Sequence, residues 1–195
     1  MARAADVKPK VERAAIDLFA ARGVEGVSIA DIAAAAGVSQ GALYRHYRGK
    51  DELAVSLFRD AYRRTGADLQ DIAATRPGFD AKIAAMIAHF CALYDRDPAL
   101  FRFLLLAQHN FLPRLADEPP APIDVVAETI AAGVAAGELA GVDPVLGAAV
   151  TMGVVLQAAT FHLYSRLGGD LSPLAPALAR AALAAVRALS CGDEP

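Results

Sequence analysis

Residues Ser28 to Leu53, SIADIAAAAGVSQGALYRHYRGKDEL, constrain this chain more than any other stretch, because they spell two short helices and the bend between them. Ser28, followed three residues later by Asp31, is a capping-box-like start with an acidic group where a helix N-terminus favours negative charge. Ile32 and the alanines around it make a short helix with little side-chain bulk. Gly37 then supplies the residue most tolerant of positive φ, and Val38 plugs the angle between two helices. Ser39 is a second N-cap, opening a helix of about two turns from Gln40 through Gly41, Ala42, Leu43, Tyr44 and Arg45 to His46. Its first turn is small and polar, so its backbone can approach a groove edge. The second helix of a helix-turn-helix docks in the DNA major groove in this way.

The segment resembles the N-terminal domain of the TetR family of transcriptional regulators. Ile32-Ala33, Ala36-Gly37-Val38-Ser39, Gly41, Leu43-Tyr44, His46-Tyr47, Lys50 and Leu53 carry the likeness, in the expected order and spacing. Upstream, Ala14-Ala15, Leu18-Phe19 and Gly23 fit the first helix of the same domain, and beyond it only length and helical character agree. Val27 departs from the pattern, since family members often carry a hydroxyl there that helps to hold phosphate. The resemblance implies a DNA-binding head at residues 1–50 and an effector-binding, dimerising body at residues 51–195.

Composition agrees with an all-α chain. Hydrophobic residues make up 55% of 195, above the roughly 45–50% of ordinary soluble domains. Much of the excess is alanine, a strong helix former, and the remainder suggests a buried subunit interface. Net charge is only −3, but it is uneven: residues 1–50 hold eight Lys/Arg against five Asp/Glu, the rest eleven against seventeen. A basic head on an acidic body suits a protein that offers one end to phosphate. Two cysteines, Cys91 and Cys191, make no disulfide framework, and the polar start MARAADVKPK is no signal peptide. A reducing cytoplasm is the expected location.

Hydrophobic periodicity predicts about nine helices and no strand. The first runs from Val7 to Arg22, with Ala14, Ala15, Leu18 and Phe19 inward. Lys50-Asp51 open a long fourth helix toward Leu69, and Arg76-Pro77-Gly78 break the chain. A fifth spans Asp80 to Tyr94, and Asp97-Pro98 start a sixth. Leu112 to Pro122, with four prolines, reads as an irregular connector. The seventh covers Ile123 to Ala136, the eighth begins at Asp143-Pro144 and reaches about Leu167, and the ninth covers Pro173 to Leu189. Pro144 to Ser165 carries no formal charge over 22 residues, long enough to span a bilayer. Thr151, Gln157, Thr160 and His162 interrupt it and no second span exists. It reads instead as a helix facing its own core on one side and a partner subunit on the other.

Recognition of DNA needs contacts that position and contacts that specify. Lys50, at a helix N-terminus, is placed for phosphate, as are Tyr44 and His46, whose family counterparts donate to phosphate oxygens. Ser28 and Ser39 set hydroxyls at the groove rim. Gln40 can pair bidentately with adenine, Ala42 suits a thymine methyl, Gly41 lets the backbone approach, and Arg45 reaches guanine or phosphate or stays solvated. Tyr47 is expected in the core. Arg3, Lys8 and Lys10 form either an N-terminal arm on the DNA or a start of chain without a fixed place.

Within the body, Phe90, Tyr94, Phe101, Phe103, Leu104, Gln108, His109, Met152, Gln157, Phe161 and Tyr164 combine apolar bulk with few polar groups, as ligand pockets and ordinary cores both do. Phe101, Leu104, Gln157, Phe161 and Tyr164 are the candidate lining for an apolar or aromatic effector, with Gln157 orienting it. His89 and Cys91 point apart on one helix, and His109 and His162 lack a nearby carboxylate in sequence. No catalytic, cofactor or metal site is expected. The expected protein is a repressor, not an enzyme, that binds a palindromic double-stranded DNA operator as a homodimer through its eighth and ninth helices. A small-molecule effector releases it, and no membrane is involved. The alternative is a helical ligand-binding module with a vestigial helix-turn-helix.

Overall fold

The computed structural model describes residues 7–115 and 121–189. Arg3 and Cys191 lie outside them. The described residues form nine α-helices and no strand: α1 (Val7–Arg22), α2 (Ile29–Ala36), α3 (Gln40–Tyr44), α4 (Lys50–Thr75), α5 (Phe79–Arg96), α6 (Pro98–Phe111), α7 (Pro122–Ala135), α8 (Pro144–Leu163) and α9 (Ala175–Ala188). The described residues form two compact units, one from residues 7–62 and 97–115, the other from residues 63–96 and 121–189. Their division differs from the head-and-body boundary at residue 50, because α6 and the first half of α4 fold with α1–α3.

Helix ends follow local chemistry. Ser28 accepts from the Asp31 amide at 3.1 Å while the Asp31 carboxylate accepts from the Ser28 amide at 2.9 Å, completing the capping box. Gly37 closes α2 at φ +67°, a conformation costly for any residue with a Cβ. Asp97 and Asp143 cap α6 and α8, each followed by a proline in the first turn, where its missing N–H costs nothing.

Three ends differ from the sequence reading. α3 stops at Tyr44 rather than His46: the His46 and Tyr47 amides both turn back to the Leu43 carbonyl, and Tyr47 goes into the core, 5% exposed. α4 continues to Thr75, ending where Pro77 disfavours helix in the residue before it. α8 stops at Leu163 rather than Leu167, because Ser165 turns left-handed at φ +55° and the Arg166 amide returns to the Phe161 carbonyl.

The first unit's core is an aromatic cluster. Phe19 of α1 stacks on Phe103 of α6 with centroids 5.6 Å apart, and Phe58 of α4 meets Phe103 and Phe111 edge-on at 6.3 and 5.5 Å. Ile32, Leu43, Leu53 and Leu57 fill the space around it. At the rim, Arg13 donates to Asp97 at 2.7 Å, joining α1 to the cap of α6. Phe103 therefore holds the helix-turn-helix scaffold.

In the second unit α5 buries Ile83, Met86, Ile87 and Phe90, and α7, α8 and α9 cover it. Small residues set the helix spacing: a Cβ on Gly147 of α8 would come within 2.9 Å of Ile130 on α7. The inner face of α9 is Ala175, Ala179, Ala182 and Val186. Leu174, Leu178, Ala181, Ala185 and Leu189 lie about a quarter turn round, half-buried or exposed. On α8 the inner face is Gly147, Ala148, Thr151, Val155 and Ala159, leaving Leu146, Ala149, Gly153, Gln157, Phe161 and Tyr164 exposed. α8 is the one described helix with the length and hydropathy to cross a membrane, and only 28% of that stretch is buried.

Candidate nucleic-acid interface

The bend between α2 and α3 is fixed at both ends, so α3 is held as a rigid platform despite its five residues. Ser39 caps it, accepting from the Ala42 amide at 3.2 Å, and Leu43 anchors it, fully buried. With Leu43 inward, Gln40, Gly41 and Tyr44 face solvent, followed by the exposed Arg45 and His46. A Cβ on Gly41 would meet nothing within 4 Å, so this turn offers its bare backbone outward. Tyr44 is 53% exposed although aromatic, whereas Tyr47, three residues on, is buried with its hydroxyl donating to Glu12 at 2.7 Å. Burial, then the Glu12 bond, raises the Tyr47 phenol above its ordinary range. One tyrosine belongs to the surface and the other to the core.

Lys50 begins α4, where unpaired helix amides and its ammonium favour an anion together. A shallow basin of about 540 Å³ opens there between Arg48, Gly49, Lys50, Asp51 and Glu52. Lys50 Nζ lies 3.4 Å from Glu25, whose side chain is 93% exposed. An ion pair that open to water is weak, so phosphate can replace Glu25 at little cost. Glu25 and Arg48 escaped the sequence reading; Arg48 had a signal, as a cation two residues before Lys50, and Glu25, 25 residues away, had none.

Ser28 is more committed than its motif suggests. Its hydroxyl accepts from the Asp31 amide and donates to the Asp31 carboxylate at 2.8 Å. Bonds from the Ser28 amide and hydroxyl, with Arg22 at 3.6 Å adding to them, hold Asp31 below the usual carboxylate range. Val27, where the resemblance would put a hydroxyl, is a buried core residue. Lys8 lies 3.7 Å from Glu12 on α1, and Lys10 is exposed one turn inside the same helix.

The five residues expected to line an effector pocket divide between the units. Phe101 and Leu104 lie on α6 in the first, Phe101 buried and Leu104 half-buried; Gln157, Phe161 and Tyr164 lie on the exposed face of α8 in the second. Tyr94 and His162 do meet, the phenol 2.8 Å from Nδ1, with the other ring nitrogen at the Gly169 carbonyl. Among the described residues no group of three His, Cys, Asp or Glu is placed to hold a metal. Cys91 is buried, which pushes its thiol up to about 11 and leaves it a poor nucleophile.

Capped, exposed and cation-flanked, α3 and its neighbours have the architecture of a helix-turn-helix DNA reader. Residues 13–57 match the family model for bacterial regulatory proteins of the tetR family. Over 96 residues, 48% of its length, the chain is 36% identical to the HTH-type transcriptional repressor DrrR1 of Streptomyces coeruleorubidus, and the match spans 33% of that repressor. Among solved structures, the fatty acid degradation regulator FadR from Bacillus halodurans superposes with a TM-score of 0.80 at 18% identity, over 90% of this chain and 93% of that one. FadR from Bacillus subtilis, solved in complex with stearoyl-CoA, gives 0.74 at 18% identity over 90% and 97%. PfmR from Thermus thermophilus gives 0.71 at 18% over 90% and 94%. Through residues 13–57 the chain is similar to the tetR family, and over most of its length it shares the fold of these solved regulators.

Proposed function

We propose that this chain is a ligand-responsive repressor that binds a palindromic DNA operator as a homodimer. The observation that carries this reading is the α3 platform, with Gln40, Gly41 and Ala42 leading and Tyr44, His46 and Lys50 at its edge. Gln40 and Ala42 read base edges, with Arg45 on guanine or phosphate. Lys50, Tyr44, His46 and Ser39 position the helix on the backbone, while Ser28 fixes the start of α2 through Asp31. A vestigial motif needs neither an exposed Tyr44 nor Lys50 at a helix start, which favours a working reader over a helical module that has lost DNA.

Dimerisation is supported by the exposed Val145, Leu146, Ala149 and Gly153 in the first half of α8 and the half-buried seam of α9, both in the second unit. Two-fold symmetry in the protein matches two-fold symmetry in the operator. The effector is apolar or aromatic: the exposed Phe161 and Tyr164, with Gln157 as the orienting amide, are its candidate contacts on α8. The stearoyl-CoA bound by the Bacillus subtilis regulator has an apolar acyl tail of that character, joined to a strongly charged coenzyme A head. A DNA-binding titration with added stearoyl-CoA tests release, and unchanged affinity at a saturating level would remove this ligand from consideration.

Two substitutions separate positioning from reading. Lys50→Ala should weaken binding to specific and random duplexes alike, and lower the slope of log affinity against log salt by about one. Gln40→Ala should cost about 1–3 kcal/mol on the specific duplex only and relax preference at one base pair. Fluorescence anisotropy on both duplexes across a salt series makes the comparison. Equal losses for Gln40→Ala on both duplexes would mean that it reads no base.

A further inference from the structure

Glu25 stands on the turn that joins α1 to α2, and that turn is fixed from both sides. Gly23 ends α1 in the left-handed region at φ +71°, its amide donating to the Phe19 carbonyl at 2.9 Å. A Cβ on Gly26 would come within 2.5 Å of the Arg22 carbonyl oxygen, so any other residue would have to push the turn open. Val27, next in sequence, is anchored in the core. The backbone under Glu25 therefore has one course, while its side chain reaches out into water and meets Lys50 Nζ at 3.4 Å. Lys50 is far less free, its own side chain being only 21% exposed. Beside it Glu52 is already engaged, accepting from the Arg48 amide at 2.6 Å, and Asp51 sits in the first turn of α4, where the helix amides favour it. Arg48 and Lys50 thus face three carboxylates at the start of α4, and Glu25 is the one that comes from another segment and can swing away.

We propose that Glu25 is an internal competitor for DNA phosphate: in the free chain its carboxylate holds the ammonium that the DNA backbone must take over. The inference rests on the reading of Lys50 as a phosphate contact and deepens it. Carboxylate and phosphate oxygens ask the same of an ammonium, a short charge-assisted hydrogen bond. Donating to both at once would set two anions side by side, which repel each other, on a side chain with little room to turn. Every duplex must therefore displace Glu25 to gain Lys50, whatever its sequence, because a phosphate contact carries no base information. Glu25 lowers affinity for operator and random DNA by the same factor and leaves their ratio untouched. A pair so open to water is worth a few-fold, a scale that trims affinity without blocking binding. The opposite role, a brace that orients Lys50 for phosphate, needs a carboxylate that is itself held, and a side chain 93% exposed is not.

Fluorescence anisotropy of the full chain on specific and random duplexes tests the assignment. Glu25→Gln keeps the size of the side chain and removes its charge, at an exposed position where the fold is indifferent to the change. It should raise affinity for both duplexes alike, about two- to fivefold at low salt, with the gain shrinking as salt rises. In the Lys50→Ala background most of that gain should disappear, since no ammonium remains for Glu25 to hold. The double comparison separates competition at Lys50 from plain repulsion between an acidic side chain and DNA, which does not need Lys50. Binding that Glu25→Gln leaves unchanged or weakens would overturn the proposal and leave the repressor reading intact, as would a gain of the same size in the Lys50→Ala background. Failure of the unaltered chain to bind either duplex would overturn both together.

Discussion

Phe103→Ala is expected to destabilise the DNA-reading unit by about 3–5 kcal/mol, the cost of deleting a buried ring whose surroundings cannot collapse into the space. Phe103 is 1% exposed and its ring touches those of Phe19, Phe58 and Phe111, so helices α1, α4 and α6 all lose a contact at once. Against a typical total of about 5–15 kcal/mol, that loss threatens the unit itself. Amide hydrogen exchange localises the effect: protection of α1 and α2 should fall in the variant, although Phe103 lies well beyond the helix-turn-helix in sequence. Leu106→Ala, at an exposed site on the same helix, should change it little. Unchanged protection of α1 in Phe103→Ala would mean that α6 is not part of the head's core.

The second large effect is expected from Ala181→Glu. Ala181 is exposed on α9, off the buried face formed by Ala175, Ala179, Ala182 and Val186, so a glutamate there leaves the protomer's own core intact. In a dimer joined through α8 and α9 it would bury an unpaired charge, which close apolar contact does not tolerate. Sedimentation should then show a monomer at micromolar concentration where the unaltered chain is a dimer. Operator affinity should fall by about 10²–10⁴-fold, because the second half-site is no longer bound as an intramolecular event. If the unaltered chain sediments as a monomer and still binds its operator, the dimer reading is wrong.

What the sequence made legible was governed by range. Ser28, Ser39, Asp97 and Asp143 announce the helices that they cap, because a cap is an interaction between residues three apart. The helix-turn-helix was visible for the same reason. Less visible were ends set by tertiary pull: α3 ends early because Tyr47 is drawn inward to Glu12, 35 residues away. The allegiance of α6 was hidden too. Its periodicity marks an apolar face at Phe103, Ala107 and Phe111, but no spacing rule says that this face meets Phe19 and Phe58 rather than the helices of the second unit. Exposure on α8 was legible only in outline. A helix apolar all round needs two covers, and the sequence does not say which of Val155 and Phe161 its own fold keeps.

The central claim, sequence-specific binding of a palindrome by paired α3 helices, is tested most directly by footprinting the purified chain on genomic DNA at physiological salt. The expected result is protection of discrete sites, each an imperfect inverted repeat with half-sites centred about one helical turn apart, roughly 34–36 Å. Gln40→Ala should blur one base position in each half-site, and Lys50→Ala should weaken every site together. Protection that is uniform along the DNA, or that disappears as salt is raised without leaving any preferred sequence, would contradict it.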